Sequence, residues 1–342
     1  MPPALERGQT ELKGGRERTE FHGKPELEKS NQKNRTRKEL EMTKSALAGI
    51  TSGATHSPPR FVVHGLEGVG KTSFGAGAEK PVFLCTRGET GLNTLIDSGR
   101  VGQTAHFPEI TNWEAMGASL NALVAEPHDY KTLVIDTANG AEGLLSAHIL
   151  QTEFNGDLQS FTSYGAGNRM VVERWRNFIY GLDALRQRRE MAIILLAHSV
   201  MVTFDNPTGS NYSRWEPALK VKYNNTTTWS TVNGFADCVF FLAYDDEVYE
   251  PKGGQGKAVS SESSGSRRII YTERRAAWDA KNRYGMPAKI KLPSDPALVW
   301  AEIAKHMKGG PSAPQQPPAP QPEPQPEPQP EPKTLPRKGD PK

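Results

Sequence analysis

Apolar residues in this chain come in short unbroken runs, separated by stretches with helical spacing. The runs are Phe61-Val62-Val63, Pro81-Val82-Phe83-Leu84-Cys85, Thr132-Leu133-Val134-Ile135, Met191-Ala192-Ile193-Ile194-Leu195-Leu196-Ala197 and Cys238-Val239-Phe240-Phe241-Leu242-Ala243. Runs of this length without polar alternation predict strands buried on both faces, the kind found in parallel sheets. Between them, residues 111–126 set Met116, Leu120 and Leu123 on one helical face with Thr111 as the cap. Residues 168–189 read as one long amphipathic helix, and residues 297–306 as a last one. A hairpin is expected through Gly253-Gly254 to the strand Arg268-Ile269-Ile270-Tyr271. Such alternation of strand and helix predicts an α/β fold, a mostly parallel sheet with helices on both faces.

Two stretches depart from this pattern. Residues 1–59 are polar and charge-mixed, with too few apolar positions for a core, and are expected to be a disordered extension. Within them Lys33, Arg35, Arg37 and Lys38 form a basic cluster, either solvated charge or a contact for nucleic acid. Met42 lies shortly before the first strand and is a second candidate start of the protein. From Gly309 to Lys342 the chain is proline-rich, with Pro-Gln-Pro-Glu repeated between Pro320 and Pro332. That composition favours polyproline II, a spacer or a docking tail for a protein partner. The folded domain is therefore expected over residues 60–308.

Composition narrows the picture only a little. A chain of 342 residues, 36% hydrophobic and 24% charged, suits one medium domain with unstructured ends. A net charge of +3 does not indicate a nucleic-acid binder in bulk, so any basic surface is local. Cys85 and Cys238 lie far apart in apolar runs and fit no metal spacing, which suggests buried thiols in a reducing cytoplasm. No apolar run reaches membrane-spanning length and no signal-peptide core follows Met1, so a cytoplasmic protein is expected.

The candidate chemistry begins after the first strand. Gly65-Leu66-Glu67-Gly68-Val69-Gly70-Lys71-Thr72 matches the phosphate-binding pattern G-x-x-x-x-G-K-[ST], and Ser73 continues into a helix. Glycines let backbone N–H groups turn inward on phosphate oxygens, and the helix N-terminus adds positive dipole at the same point. Lys71 supplies a charge for the outer phosphates, and the Thr72 hydroxyl is placed for Mg²⁺. Asp136 ends its strand at the carboxyl edge of the sheet, where it either holds that Mg²⁺ or caps the helix that follows.

Hydrolysis needs a group to orient water. Glu89, a few residues past the second strand, is the first candidate; Glu67, Glu114 and Glu153 are its rivals. His198 follows seven apolar residues at the same edge, where it either senses the outer phosphate or satisfies the strand end. Residues 199–234 then lack a regular period and carry Phe204, Tyr212, Arg214, Trp215, Lys220, Lys222, Tyr223 and Trp229. Rings stack on bases and cations neutralise phosphates, so this loop suits single-stranded nucleic acid, or else packs as a surface insertion. Residues 154–167, with Phe161 and Tyr164, form a shorter loop of similar character.

In order and spacing these motifs resemble the RecA-like recombinase core. They more closely resemble the small phage- and prophage-encoded RecA-like ATPases of single-strand annealing, over residues 60–293. The resemblance implies ATP and Mg²⁺ as cofactors, Glu89 as catalytic glutamate, and His198 as the residue coupling nucleotide to DNA. It also implies that loops within residues 155–167 and from Phe204 onward bind single-stranded DNA. In Ala280-Lys281-Asn282-Arg283, the basic pair Lys281 and Arg283 matches residues that reach the nucleotide of a neighbouring subunit, implying a homo-oligomer, ring or filament. No separate C-terminal domain is expected after residue 308, which would favour annealing or loading over strand exchange. A nucleotide-switched interaction protein recruiting a partner through its tail, and a helicase-type motor, are the alternatives. A GTPase is disfavoured because no N-K-x-D element follows a strand.

Overall fold

Each unbroken apolar run becomes a strand of one mixed sheet. The computed structural model describes residues 57–249, 257–260 and 268–307, together with Ile50 and Ser52. The chain divides into Met1–His56 and Ser57–Lys342, and the fold is that of the second unit. The charged extension with its basic cluster, Met42, the Gly253-Gly254 turn and the proline-rich tail lie outside the described residues.

The strands are β1 (Arg60–Gly65), β2 (Pro81–Cys85), β3 (Ala105–His106), β4 (Thr132–Asp136), β5 (Ala192–Phe204) and β9 (Cys238–Tyr244). Beside them stand β12 (Arg268–Tyr271) and β14 (Lys289–Lys291), giving the order β14-β12-β9-β1-β5-β4-β2-β3; β13 (Lys281–Asn282) also pairs with β9, and β10 (Asp246–Tyr249) pairs with β11 (Lys257–Ser260) in a sheet of two. The six strands from β9 to β3 are mutually parallel, and β12 and β14 are antiparallel additions at one edge. The α/β class expected from the runs is therefore the one observed.

Period two along the strands sorts their side chains into two cores. Val62, Leu84, Leu133, Ile135, Ile193, Leu195 and Val239 face one layer of helices: α3 (Trp113–Ala125), α4 (Ala138–Phe154), α6 (Ala166–Gly181), α7 (Asp183–Arg189) and α8 (Thr228–Phe235). Phe61, Val63, Phe83, Val134, Ile194, Leu196 and Phe240 face the other: α1 (Lys71–Ala76), α2 (Gly91–Asp97) and α9 (Pro296–Met307). With both faces covered, the central stretches Phe61–Val63, Val82–Leu84, Leu133–Ile135, Ile193–Leu196 and Val239–Leu242 are apolar without alternation. The carboxyl ends of β1, β5, β4 and β2 then share one edge, where Gly65 registers with His198 and Cys85 with Asp136.

Several expected boundaries move. Helix α3 starts at Trp113, because Asn112 rather than Thr111 caps it: its Oδ1 accepts from Ala115 N at 2.8 Å. The helix expected over 168–189 is two helices, broken after Gly181, where buried Leu182 turns the chain and Asp183 opens the next first turn. Residues 199–234 are not an irregular loop. Strand β5 continues to Phe204 and pairs antiparallel with β6 (Tyr212–Pro217), from Ser199↔Pro217 to Phe204↔Tyr212. A small hairpin, β7 (Lys222–Tyr223) and β8 (Thr226–Thr227), leads into α8, capped reciprocally by Thr227 and Ser230. Residues 154–167 likewise hold a short helix, α5 (Leu158–Thr162), capped by Asp157.

Candidate active site

The loop after β1 is shaped by contact on its back and by torsion at its end. A Cβ on Gly65 would come within 2.4 Å of the Leu242 carbonyl oxygen, so only glycine fits between β1 and β9 there. Gly70 has φ 102°, a left-handed value that turns the chain into α1. Val69 and Phe74 enter the core and hold the loop from below. Lys71 bends back over the loop, donating from Nζ to the carbonyls of Gly65 at 3.1 Å and Leu66 at 2.8 Å. Burial lowers its pKa, and Asp136, Glu89 and Glu67 pull in the opposite direction.

Thr72 Oγ1 donates to Asp136 Oδ2 at 2.8 Å. Asp136 is buried, and desolvation pushes its pKa up to about 6. It does not cap the helix that follows. Thr137 does, its Oγ1 accepting from Gly140 N at 3.2 Å, so the Asp136 carboxylate is free to face the loop. Among the described residues no group of three or more His, Cys, Asp or Glu could hold a metal. A hydroxyl and a carboxylate in contact are a fitting partial ligand set for a hard divalent cation that takes its other oxygens from phosphate and water.

Glu89 and His198 meet at this edge. His198 Nε2 donates to Glu89 Oε1 at 3.0 Å, and Thr137 Oγ1 donates to the same oxygen at 3.2 Å. The His198 bond is the main cause holding the Glu89 carboxyl below its ordinary pKa. The backbone N of His198 donates to Asn139 Oδ1 at 3.0 Å, while its buried Nδ1 has no hydrogen-bond partner. The rivals sort by position. Glu114 pairs with His148 and Glu153 with Arg174, away from the loop, whereas Glu67 lines the same cavity as Glu89.

That cavity has a volume of about 760 Å³. Lys71, Thr72, Asp136, Glu89 and His198 line it, together with Thr94, Leu95, Arg100, Tyr244, Arg268 and Ser294, which sequence reasoning missed. Tyr244 Oη donates to Gly68 O at 3.1 Å, and Arg268 packs against Gly70. Tyr244 had a signal: like His198, it is a polar residue ending an apolar run. Arg100 and Arg268 belong to no local motif, and only the strand order brings them to the loop.

The other expected site residues lie elsewhere. Lys281 and Arg283 sit at the opposite, amino-terminal edge of the sheet, where Lys281 registers with Val239. Lys281 Nζ donates to the carbonyls of Asn233 and Ala236 at the end of α8, and Arg283 Nη1 pairs with Asp237 at 3.2 Å. A cation there can approach a nucleotide only in another copy of the chain. Arg214 is buried, ion-paired with Glu216 and stacked over the Phe204 ring at 4.3 Å, so it is not the surface cation expected of it. Tyr212 packs on Phe204, Trp215 bridges to Trp278, and Trp229 is buried with Nε1 on Asp279. Lys220 and Lys222 are exposed, Tyr223 lies against Gly165, and Tyr164 is fully exposed.

A glycine loop between a central parallel strand and a helix, facing a buried strand-end carboxylate, defines the P-loop nucleoside-triphosphatase class. A family model described as an AAA domain matches residues 57–284, and the chain belongs to that family, which carries nucleotide binding and ATPase activity. Among curated proteins none matches the chain. Among the described residues no helix is long and apolar enough to cross a membrane.

Proposed function

We propose that the protein is a DNA-dependent ATPase acting on single-stranded DNA in phage-type recombination, annealing or repair. Loop N–H groups and Lys71 hold the β- and γ-phosphates. Thr72 and Asp136 would hold Mg²⁺, which when bound neutralises charge on those phosphates. Glu89 orients a water whose oxygen attacks the γ-phosphorus as the bond to the β-bridging oxygen breaks; ADP takes that electron pair, and the water proton leaves to solvent with phosphate. His198, bonded to Glu89, feels the outer phosphate come and go. Lys220, Lys222, Tyr223 and Tyr164 offer the cations and rings that receive DNA. Tyr212, Arg214 and Trp215 support the ribbon rather than touch the ligand.

Copies of the chain assemble, and Arg283, half-exposed, reaches the neighbour's γ-phosphate. Lys281 is committed to the end of α8 and serves there.

One observation carries this reading. Glu89 touches His198, and the ribbon begins at the very next residue, Ser199. A change at the phosphate therefore has one bond and one peptide to cross before it reaches the β5–β6 ribbon.

Fluorescence anisotropy of a labelled oligo-dT tests the proposal at low and physiological salt. Capture should be at least about tenfold tighter with a non-hydrolysable ATP analogue than with ADP, a coupling of about 1.4 kcal/mol. Equal capture in both nucleotide states, or none at low salt, overturns it and favours the nucleotide-switched interaction protein.

A further inference from the structure

We propose that Arg268 is a phosphate contact of the bound nucleotide, supplied by the same chain and held against the loop at Gly70. The inference rests on the nucleotide-binding reading and adds to it a cation that lies outside the loop motif.

Two strands bring side chains to the loop from the antiparallel edge of the sheet. Arg268 on β12 registers directly with Tyr244 at the end of β9. Registered residues on neighbouring antiparallel strands set their side chains on the same face, one beside the other. Tyr244 Oη donates to Gly68 O at 3.1 Å. The Arg268 guanidinium stands against the second residue after it: a Cβ added to Gly70 would come within 2.5 Å of Nη1 and 3.6 Å of Cζ. The pair therefore meets the loop at Gly68 and Gly70, immediately ahead of Lys71. Both residues line the cavity that Lys71, Thr72 and Asp136 also line.

The guanidinium is fixed in place, and its charge is not answered. Arg268 Nη2 donates to the carbonyls of Pro293 at 3.2 Å and Ser294 at 3.0 Å. Two neutral carbonyls hold the planar fork without neutralising it, and among the described residues no carboxylate pairs with it. The residue is half-buried, and burial is the first cause lowering its pKa.

A half-buried cation without a counter-charge is unfavourable until an anion docks beside it. The anion that this loop receives is the triphosphate. A guanidinium binds phosphate oxygens through directional, charge-assisted bonds. With Nη2 committed to carbonyls, Nη1, the nitrogen against Gly70, is the donor left for that contact.

Calorimetry with Mg²⁺ present compares two ligands, the β,γ-imido analogue of ATP and inorganic tripolyphosphate, which has no base. Arg268→Gln should weaken both by about 10–100-fold, the scale of one hydrogen bond to a charged group. Arg268→Lys, which keeps the charge, should recover part of that loss. The gap between wild type and Arg268→Gln should narrow as salt rises from about 0.05 to 0.5 M, because a charge on a phosphate is screened and a steric brace is not. Without ligand, the thermal midpoint of Arg268→Gln should stay within about 2 °C of wild type. Weakening of the ATP analogue alone would make Arg268 a base or ribose contact and overturn the proposal. A larger fall in the ligand-free midpoint, or a loss that neither Lys nor salt reduces, would make it a brace of the loop and overturn it as well. Full affinity for both ligands in Arg268→Gln removes the contact while leaving nucleotide binding intact. Wild-type protein that binds neither ligand removes the nucleotide reading and this inference with it.

Discussion

His198 donates from Nε2 to Glu89 Oε1 across 3.0 Å, joining the middle of β5 to the segment that follows β2, two strands separated in the sheet by β4. The bond keeps Glu89 ionised and aimed along the edge where the loop opens. Replacing Glu89 by Gln retains size and one acceptor but removes the charge that orients water. Glu89→Gln should bind ATP with near wild-type affinity and lose about 10²–10³ in turnover. Nucleotide titration alongside a phosphate-release assay checks both halves.

Asp136 is a buried acid with a cost. Its folded pKa of about 6 lies above the ordinary 3.8, so the fold holds this proton more tightly than the unfolded chain does. The resulting stability is present below pH 3.8 and lost as pH rises through 6, leaving a penalty of up to about 3 kcal/mol at neutral pH. Asn keeps an acceptor for Thr72 and cannot ionise. Asp136→Asn should therefore raise stability at pH 7 by about 1–3 kcal/mol in urea denaturation, while abolishing Mg²⁺-dependent hydrolysis.

His64 carries the opposite sign. It lies wholly buried behind the loop, with Nδ1 accepting from Ser199 Oγ at 2.9 Å and Nε2 donating to the Asp279 carbonyl at 2.9 Å. Burial lowers its pKa from 6.5 to about 4, with Lys71 adding a smaller push. Its contribution is full above pH 6.5 and is lost as pH falls through 4, worth about 3 kcal/mol across that window. Gln can keep the bond to Asp279 without titrating. The stability difference between wild type and His64→Gln should narrow or reverse as pH drops from 7 to 4, and subtracting the two curves removes the opposing Asp136 slope.

Lys281 and Arg283 should separate cleanly. Lys281→Ala exposes the last carbonyls of α8 and should cost about 1–3 kcal/mol of stability. Arg283→Ala should leave the denaturation midpoint nearly unchanged and lower turnover only at protein concentrations where copies associate. Denaturation curves and turnover against protein concentration distinguish the two effects.

What was legible in the sequence depended on how local each signal is. The phosphate loop is written in consecutive residues, and its flanking strand and helix are where the spacing put them. Asp136, Glu89 and His198 were each findable as polar residues at or just past strand ends, but their contacts depend on strand order, which no local pattern encodes. The ribbon was missed because Ser199-Val200-Met201-Val202-Thr203-Phe204 changes from a continuous apolar run to period two in mid-strand. Arg214 looked like a surface cation because the ring it stacks over, Phe204, lies across the turn from β6, although its ion-pair partner Glu216 is only two residues on. Arg100 and Arg268 carry no motif at all, and a cavity wall assembled from α2 and β12 has no sequence signature.

The account turns on His198 as the link between the nucleotide and the ribbon. ATP turnover of wild type and His198→Ala, measured side by side across a titration of single-stranded DNA, tests it directly. Wild-type turnover should rise at least about tenfold, and His198→Ala should still bind ATP and DNA yet show no rise. A wild-type rate indifferent to DNA, or a His198→Ala rate that climbs as the wild type does, would contradict it.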